Sequence, residues 1–188
     1  MGNVVSVTDT PGGTINYTYF ANGNLKSSDY DGIVTTIEQD GWGRKTKLVD
    51  PSAGTYSYTY NALGETLSET TPKGTTTYTL DDFGKVTAKT IVGDLTNSST
   101  VYTYDETTKL PKTSQFTDIL EGSAVTANSY EYDSYQRLYK TTETTPYATF
   151  TKQLAFHAFG NIEKETATAT CNSKSSSKTT KNKYKNGT

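Results

Sequence analysis

Tyr56-Ser-Tyr58-Thr-Tyr60-Asn61-Ala62-Leu63-Gly64-Glu65-Thr66-Leu67 is a unit that the chain uses repeatedly. Its tyrosines alternate, which is the period of a strand with one aromatic face. Asn61 and Gly64 then fall at the first and fourth places of a four-residue turn. An Asn or Asp in the first place accepts a hydrogen bond from the backbone two residues on, and glycine tolerates positive φ in the fourth. A type I turn closed by a left-handed glycine is a common hairpin connection. The unit therefore predicts strand, turn, strand, and its recurrence confines the chain to a repeat architecture.

Anchored on the last residue of the aromatic pair, copies occur at Tyr19, Gln39, Tyr60, Leu80, Tyr104, Tyr132 and Phe156. They follow every 20 or 21 residues as far as Leu80 and every 24 to 28 beyond it. The turn residues are Phe20 and Gly23, Asp40 and Gly43, Asn61 and Gly64, Asp81 and Gly84, then Asp105, Asp133, and His157 with Gly160. Thr108 and Gln136 stand where glycine is expected, which predicts altered turns there. The aromatic face comprises Tyr17, Tyr19, Tyr58, Tyr60, Tyr78, Tyr102, Tyr104, Tyr130, Tyr132 and Phe156. Tyrosines at matching places are expected to form ladders across the sheet. A lone strand over 4–8 precedes the first full hairpin, and Asp31-Gly32 reads as a two-residue turn. A partial copy begins at Tyr184.

The remaining composition agrees with β-structure. Thr, Ser and Tyr are abundant, whereas hydrophobic residues make up only 32% of the 188-residue chain, too few for a thick aliphatic core. No stretch has helical periodicity. The expected fold is all-β: about seven antiparallel hairpins in one continuous twisted sheet, over residues 1–170. Residues 171–188 read as a polar terminal strand or disordered tail. An isolated hairpin is marginal in water, so stability must come from neighbours. A long twisted sheet must coil or close, giving a wall one sheet thick.

Charge and special residues narrow the function classes. The net charge of −2 and the lack of a basic stripe give no sign of nucleic-acid binding. The lysines at 174, 178, 181, 183 and 185 read as a solvated terminal segment. No apolar run is long enough to span a membrane, and the N-terminus lacks a signal-peptide pattern. With a single cysteine, Cys171, no intrachain disulfide can form. His157 and Cys171 would need to meet in space to act as a nucleophile pair; His157 instead occupies a turn position. Asp81-Asp82 point to opposite strand faces, and Asp81 is a turn residue. No catalytic, cofactor-binding or metal-binding residue is assigned. The triplets at Asn16, Asn97 and Asn186 match the glycosylation acceptor pattern but arise readily by chance in such a composition.

Tyr130-Glu-Tyr132-Asp133-Ser-Tyr-Gln136-Arg137-Leu138, Tyr102-Thr-Tyr104-Asp105 and Tyr58-Thr-Tyr60-Asn61-Ala-Leu-Gly64 resemble the consensus of tyrosine-aspartate (YD) repeats. That consensus is Tyr-x-Tyr-Asp followed by Gly-Arg-Leu. Such repeats occur in rearrangement-hotspot (Rhs) proteins, in shell subunits of insecticidal toxin complexes and in teneurins. Trp42-Gly43-Arg44 keeps the turn without the tyrosines, and the resemblance covers roughly residues 17–162. It implies a segment of a β-sheet shell or solenoid around a toxic or other polypeptide cargo, in a secreted or bacterial surface protein. The implied partners are further YD repeats of a longer parent chain, the cargo, and other copies pairing through sheet edges at 4–8 and after Asn161. The self-cleaving aspartate region that closes such shells is not recognised in the sequence, so the chain reads as a wall segment. The alternative function is a cell-wall carbohydrate-binding module using exposed aromatic residues.

Overall fold

The computed structural model describes residues 2–10, 12–120 and 124–182. Its elements are β1 (Ser6–Thr8), β2 (Thr14–Tyr19), β3 (Leu25–Tyr30), β4 (Ile33–Gln39), β5 (Lys45–Asp50), β6 (Gly54–Tyr60), β7 (Thr66–Thr71) and β8 (Gly74–Leu80). They continue as β9 (Val86–Gly93), β10 (Thr96–Tyr104), β11 (Pro111–Asp118), β12 (Ala124–Tyr132), β13 (Leu138–Thr144), β14 (Ala148–Phe156), β15 (Ile162–Cys171) and β16 (Lys174–Lys181). The chain is all-β, and the strands form one antiparallel sheet in sequence order from β1 to β16. Contacts divide it into two units, residues 1–85 with 90–96 and residues 86–89 with 97–188.

Each hairpin closes at a repeat turn, and the next begins after a short connector. At Asp31-Gly32 both residues have positive φ, 55° and 86°, as a two-residue turn matching strand twist requires. Asn172 and Ser173 repeat that geometry at φ 46° and 63°. They fold Lys174–Lys181 back on β15, with Cys171 opposite Lys174 and Lys164 opposite Lys181. The strand after Asn161 is therefore not the sheet edge: β16 covers it and takes the edge position itself. At the other end the edge strand is Ser6–Thr8, shorter than the 4–8 expectation. Tyr184 and Asn186 lie outside the described residues.

Register separates the two faces. In the second unit, Thr113, Ser129, Thr142, Thr151, Thr168 and Ser177 stand opposite one another strand after strand, a row of hydroxyls. The tyrosines occupy the other face. Their direct partners are not aromatic: Tyr58 opposes Glu69, Tyr102 opposes Ser114 and Tyr130 opposes Thr141. The expected tyrosine-on-tyrosine ladders are thus interrupted by a non-aromatic residue on the intervening strand, polar opposite Tyr58, Tyr102 and Tyr130 and aliphatic opposite Tyr19, Tyr132 and Phe156. The reason is that matching tyrosines lie two strands apart, roughly 9.5 Å, beyond ring-pairing range.

No hydrophobic side chain among the described residues is fully buried, and Ser98 is the one buried polar residue. Cohesion therefore comes from half-buried aromatic and aliphatic rows, such as Ile37, Leu48 and Tyr56, and from backbone ladders between neighbouring strands.

Candidate functional site: the repeat turns and the aromatic face

The turns follow one hydrogen-bond plan. At Asn61, Gly64 N–H donates to the Asn61 carbonyl at 3.1 Å and Asn61 N–H donates to the Glu65 carbonyl at 2.9 Å. The Asn61 Oδ1 accepts from the N–H groups of Leu63 and Glu65, both at 3.0 Å. Asp40, Asp81 and Asp133 accept the same two bonds in their own turns. Gly23, Gly43, Gly64, Gly84 and Gly160 have φ between 79° and 91°. A one-residue shift in strand register at Thr59/Tyr60 accompanies the turn, as a left-handed bulge residue demands.

The two turns without glycine differ from each other. Gln136 keeps the standard turn and itself adopts φ 62°, donating to the Asp133 carbonyl at 2.9 Å. The expected alteration there does not occur, because the Asp133 side chain fixes the turn from inside through Tyr135, the Arg137 backbone and the Arg137 guanidinium. At Asp105 the turn is longer by one residue. Thr108 is not left-handed; Lys109 is, at φ 61°, and its N–H donates to the Asp105 carbonyl at 2.9 Å. Thr107 and Thr108 backbone N–H groups and the Thr108 hydroxyl all donate to Asp105 Oδ1.

At Asp40 and Asp133, the arginine that follows the left-handed residue locks its own turn and reaches to the next hairpin. Arg44 Nε donates to Asp40 Oδ2 at 2.6 Å, while its Nη1 donates to the Asn61 carbonyl at 3.0 Å. Its guanidinium also lies over the Tyr60 ring, 4.8 Å from the centroid. Arg137 repeats this with Asp133 and the Phe156 ring, at 4.3 Å. In the Asn61 turn donor and acceptor are exchanged: Asn61 Nδ2 donates to Glu65 Oε2 at 2.6 Å. Asn24 Nδ2 donates to the Gly43 carbonyl at 3.0 Å. The Gly-Arg part of the repeat motif was the sequence signal for this contact, but its forward reach to the following turn was not legible.

These contacts set the titration of the turn carboxylates. Partial burial pushes Asp40 up. Hydrogen bonds from the Arg44 backbone, the Arg44 guanidinium and the Trp42 N–H outweigh it, so the carboxyl sits below its ordinary value. Asp133 is lowered in the same way against its own burial, chiefly by the Arg137 guanidinium. Asp105 is lowered by the Thr108 N–H first, then by the Thr108 hydroxyl and the Thr107 N–H. Behind the Asp133 turn, the Lys140 ammonium, helped by the Tyr139 hydroxyl, lowers Glu131; Lys140 is raised in return.

All ten residues of the aromatic face are half-buried. Burial raises the phenols of Tyr58 and Tyr132. The last tyrosine before a turn also has a polar task. Tyr60 donates to the Lys45 carbonyl at 2.7 Å, Tyr104 to the Val86 carbonyl at 2.8 Å and Tyr19 to the Val4 carbonyl at 2.5 Å. Lys45 and Val86 lie on the strand preceding the hairpin, and Val4 lies just before β1.

The sequence candidates for chemistry remain apart. His157 is exposed in its turn and stacks on Phe159 at 5.4 Å, while Cys171 opposes Ala148 at the far end of the β14–β15 hairpin, roughly 30 Å of strand away. Asp81 is engaged by the Phe83 and Lys85 backbone. Among the described residues, no three His, Cys, Asp or Glu side chains group so as to hold a metal ion. Asn16 and Asn97 lie within β2 and β10.

No role was assigned from sequence to the residue just before the left-handed turn position. Trp42, Leu63, Phe83, Tyr135 and Phe159 fill it and are 86%, 82%, 76%, 79% and 87% exposed. The regular sequence spacing was the available signal.

A repeated hairpin with an Asx-type turn, a left-handed fourth residue and a tyrosine face defines a YD-type repeat sheet. Residues 60–96 match the family model described as RHS Repeat, so the chain carries that repeat. No curated protein matches the chain. Among solved structures, the crystal structure of TcdB2-TccC3-Cdc42 is similar at a TM-score of 0.68 and 17% identity, over 90% of this chain and 10% of that one. The crystal structure of TcdB2-TccC3 gives 0.66 and 17%, with the same coverage. The Photorhabdus luminescens Tc holotoxin pore, carrying a TccC3 mutation, gives 0.59 and 13%, over 88% of this chain and 11% of that one. At these identities the likeness is one of fold, and the chain spans about a tenth of the length of the chains it matches.

Proposed function

We propose that the chain is a non-catalytic wall segment of a YD-repeat shell, in a secreted or surface-exposed bacterial protein, that encloses a toxin or other polypeptide. The observation that carries this reading is a sheet with no buried hydrophobic side chain among the described residues, whose repeats match the fold of Tc toxin chains over nine-tenths of its own length. A one-layer sheet stabilised by nearest neighbours extends indefinitely by adding hairpins, which is what a wall requires. The partners are further repeats continuing the sheet and the cargo they surround. The array occupies residues 1–170, and Lys174–Lys181 adds one lysine-bearing strand to it. The turn residues Asp40, Gly43, Asn61, Gly64, Asp81, Gly84, Asp105, Asp133 and Gly160 hold the hairpin tips, and the aromatic face spaces them.

Neither the family match nor the similar structures favour the carbohydrate-binding alternative, and the face tyrosines are half-buried rather than presented as a platform. The test is native-state proteolysis of the longer protein that contains this segment. A cargo segment that survives protease until the sheet is denatured supports the shell. Digestion at the same rate before and after denaturation removes the enclosing role.

A further inference from the structure

In every repeat turn the backbone N–H of the first residue donates to the carbonyl of the residue that follows the left-handed position. That residue is Asn24, Arg44, Glu65, Lys85, Leu110, Arg137 and Asn161 along the chain. Six of them are polar, and Leu110 is the apolar one.

Where the residue is arginine, its head is clamped between two hairpins. Arg44 meets Asp40 Oδ2 at 2.6 Å, the Asn61 carbonyl of the next turn at 3.0 Å and the face of Tyr60 at 4.8 Å. Arg137 meets Asp133 Oδ2 at 2.7 Å and the face of Phe156 at 4.3 Å. By position in the repeat, the matching groups at the Leu110 step are Asp105 Oδ2, the Asp133 carbonyl and the Tyr132 ring.

These groups share one cleft. Asp105, Leu110, Tyr132 and Asp133 line a space of about 380 Å³, within the size range of small-ligand pockets. The Thr107 N–H, the Thr108 N–H and the Thr108 hydroxyl all donate to Asp105 Oδ1. The Oδ2, which takes the guanidinium in the two sister turns, takes none of these bonds. The Asp105 carboxyl lies below its ordinary value, so it is charged at neutral pH. The other carboxylates of the lining are already engaged, Asp133 by Arg137 and Glu131 by Lys140. Lys112 shares the lining and acts on Asp105 through its charge. Its compact ammonium offers neither a planar fork nor a stacking face.

We propose that this cleft binds the guanidinium of an arginine side chain from another polypeptide, held as the chain's own Arg44 is held. Asp105 Oδ2 and the Asp133 carbonyl accept its N–H groups, and its plane lies on Tyr132. One charge-assisted hydrogen bond and one cation–π contact at a partly solvated site give a single arginine a dissociation constant on the order of 1 mM. This inference rests on the repeat geometry and not on the wall reading.

The test is a titration of the full chain with N-acetyl-arginine amide, followed through backbone amide NMR shifts. The Thr107, Thr108 and Asp133 signals should move saturably, while those of Trp42 and Leu63, in the turns that Arg44 already bridges, should stay in place. N-acetyl-lysine amide should bind at least about tenfold more weakly. Asp105→Asn should weaken arginine binding by at least about tenfold. That variant keeps the turn, because Asn61 shows that an amide accepts backbone N–H groups at this place. Leu110→Arg supplies the head from within the chain and should abolish binding of the probe. A titration without saturable shifts at the Asp105 and Asp133 turns overturns the proposal. So does a lysine probe that binds as tightly as the arginine probe, or undiminished arginine binding by either variant.

Discussion

At the scale of single residues, the repeat turn is a device in which one side chain and one backbone conformation cooperate. Asn61 holds the loop from inside, and Gly64 at φ 91° turns the chain back into the next strand. A β-branched residue at 64 is forced into the left-handed region. Gly64→Val should lower unfolding free energy by about 1–2 kcal/mol or more in denaturant titration. Gln136 supplies the converse, because it already bears that conformation at φ 62°. Gln136→Gly should raise stability by about 0.5–1 kcal/mol in the same measurement. The turn aspartates give a pH signature. Asp40, Asp105 and Asp133 are depressed in the folded chain below the ordinary value of 3.8. Their contribution is therefore complete above that value and is lost as pH falls through the folded values. Melting temperature should hold steady near neutrality and fall below about pH 4. Asp40→Asn should fold, since Asn61 shows that an amide makes the same two backbone bonds, and should flatten the acid limb. An unchanged limb in that variant would remove Asp40 from the account.

At the scale of the hairpin, each element is stabilised by what it gives to its neighbour. Behind five of the turns, the cross-strand pair is two hydroxyls or an ion pair in equivalent places. Thr18 with Ser27, Thr59 with Ser68 and Thr103 with Thr113 are the hydroxyl pairs. Glu38 with Lys47 and Glu131 with Lys140 are the ion pairs. Either fits a site where two short or flexible polar side chains face each other across one strand spacing. Tyr60 links hairpins more directly by donating to the Lys45 carbonyl at 2.7 Å. Tyr60→Phe removes only that hydroxyl while keeping the ring under Arg44. It should cost about 0.5–1.5 kcal/mol in thermal or chemical unfolding. Leu80 and Phe156 fill the same repeat place without a hydroxyl, so the fold tolerates the loss. A destabilisation confined to the noise of the melt would show that the Lys45 carbonyl finds water equally well.

At the scale of the whole molecule, the two outer strands of the sheet differ in chemistry. β16 carries Lys174, Lys178 and Lys181, charges that oppose strand addition. β1 is flanked by exposed Val4 and Val5, contains exposed Val7 and bears no charge. Association by strand pairing should therefore run through β1. Sedimentation of the unmodified chain should show larger species than Val7→Pro at equal concentration. Identical sedimentation of the two would place any association elsewhere.

The sequence by itself determined what is local and periodic. Alternating tyrosines and the Asx-x-x-Gly spacing prescribe strand and turn within a few residues, so the hairpin order and the positive φ at Gly64 were legible without a fold. Asp31-Gly32 was equally legible, because a two-residue turn is specified by its own residues. The tertiary structure decided whatever depends on a neighbouring hairpin. Register set Tyr58 against Glu69 rather than against another tyrosine. The Asp133 side-chain network allowed Gln136 to stand in for glycine. Pairing with β15 gave strand structure to the polar segment Lys174–Lys181, whose composition alone left strand and disorder open. The turn side chains that remained exposed were also settled there, because exposure is fixed by which neighbours the sheet supplies, and a periodicity within one hairpin carries no record of them.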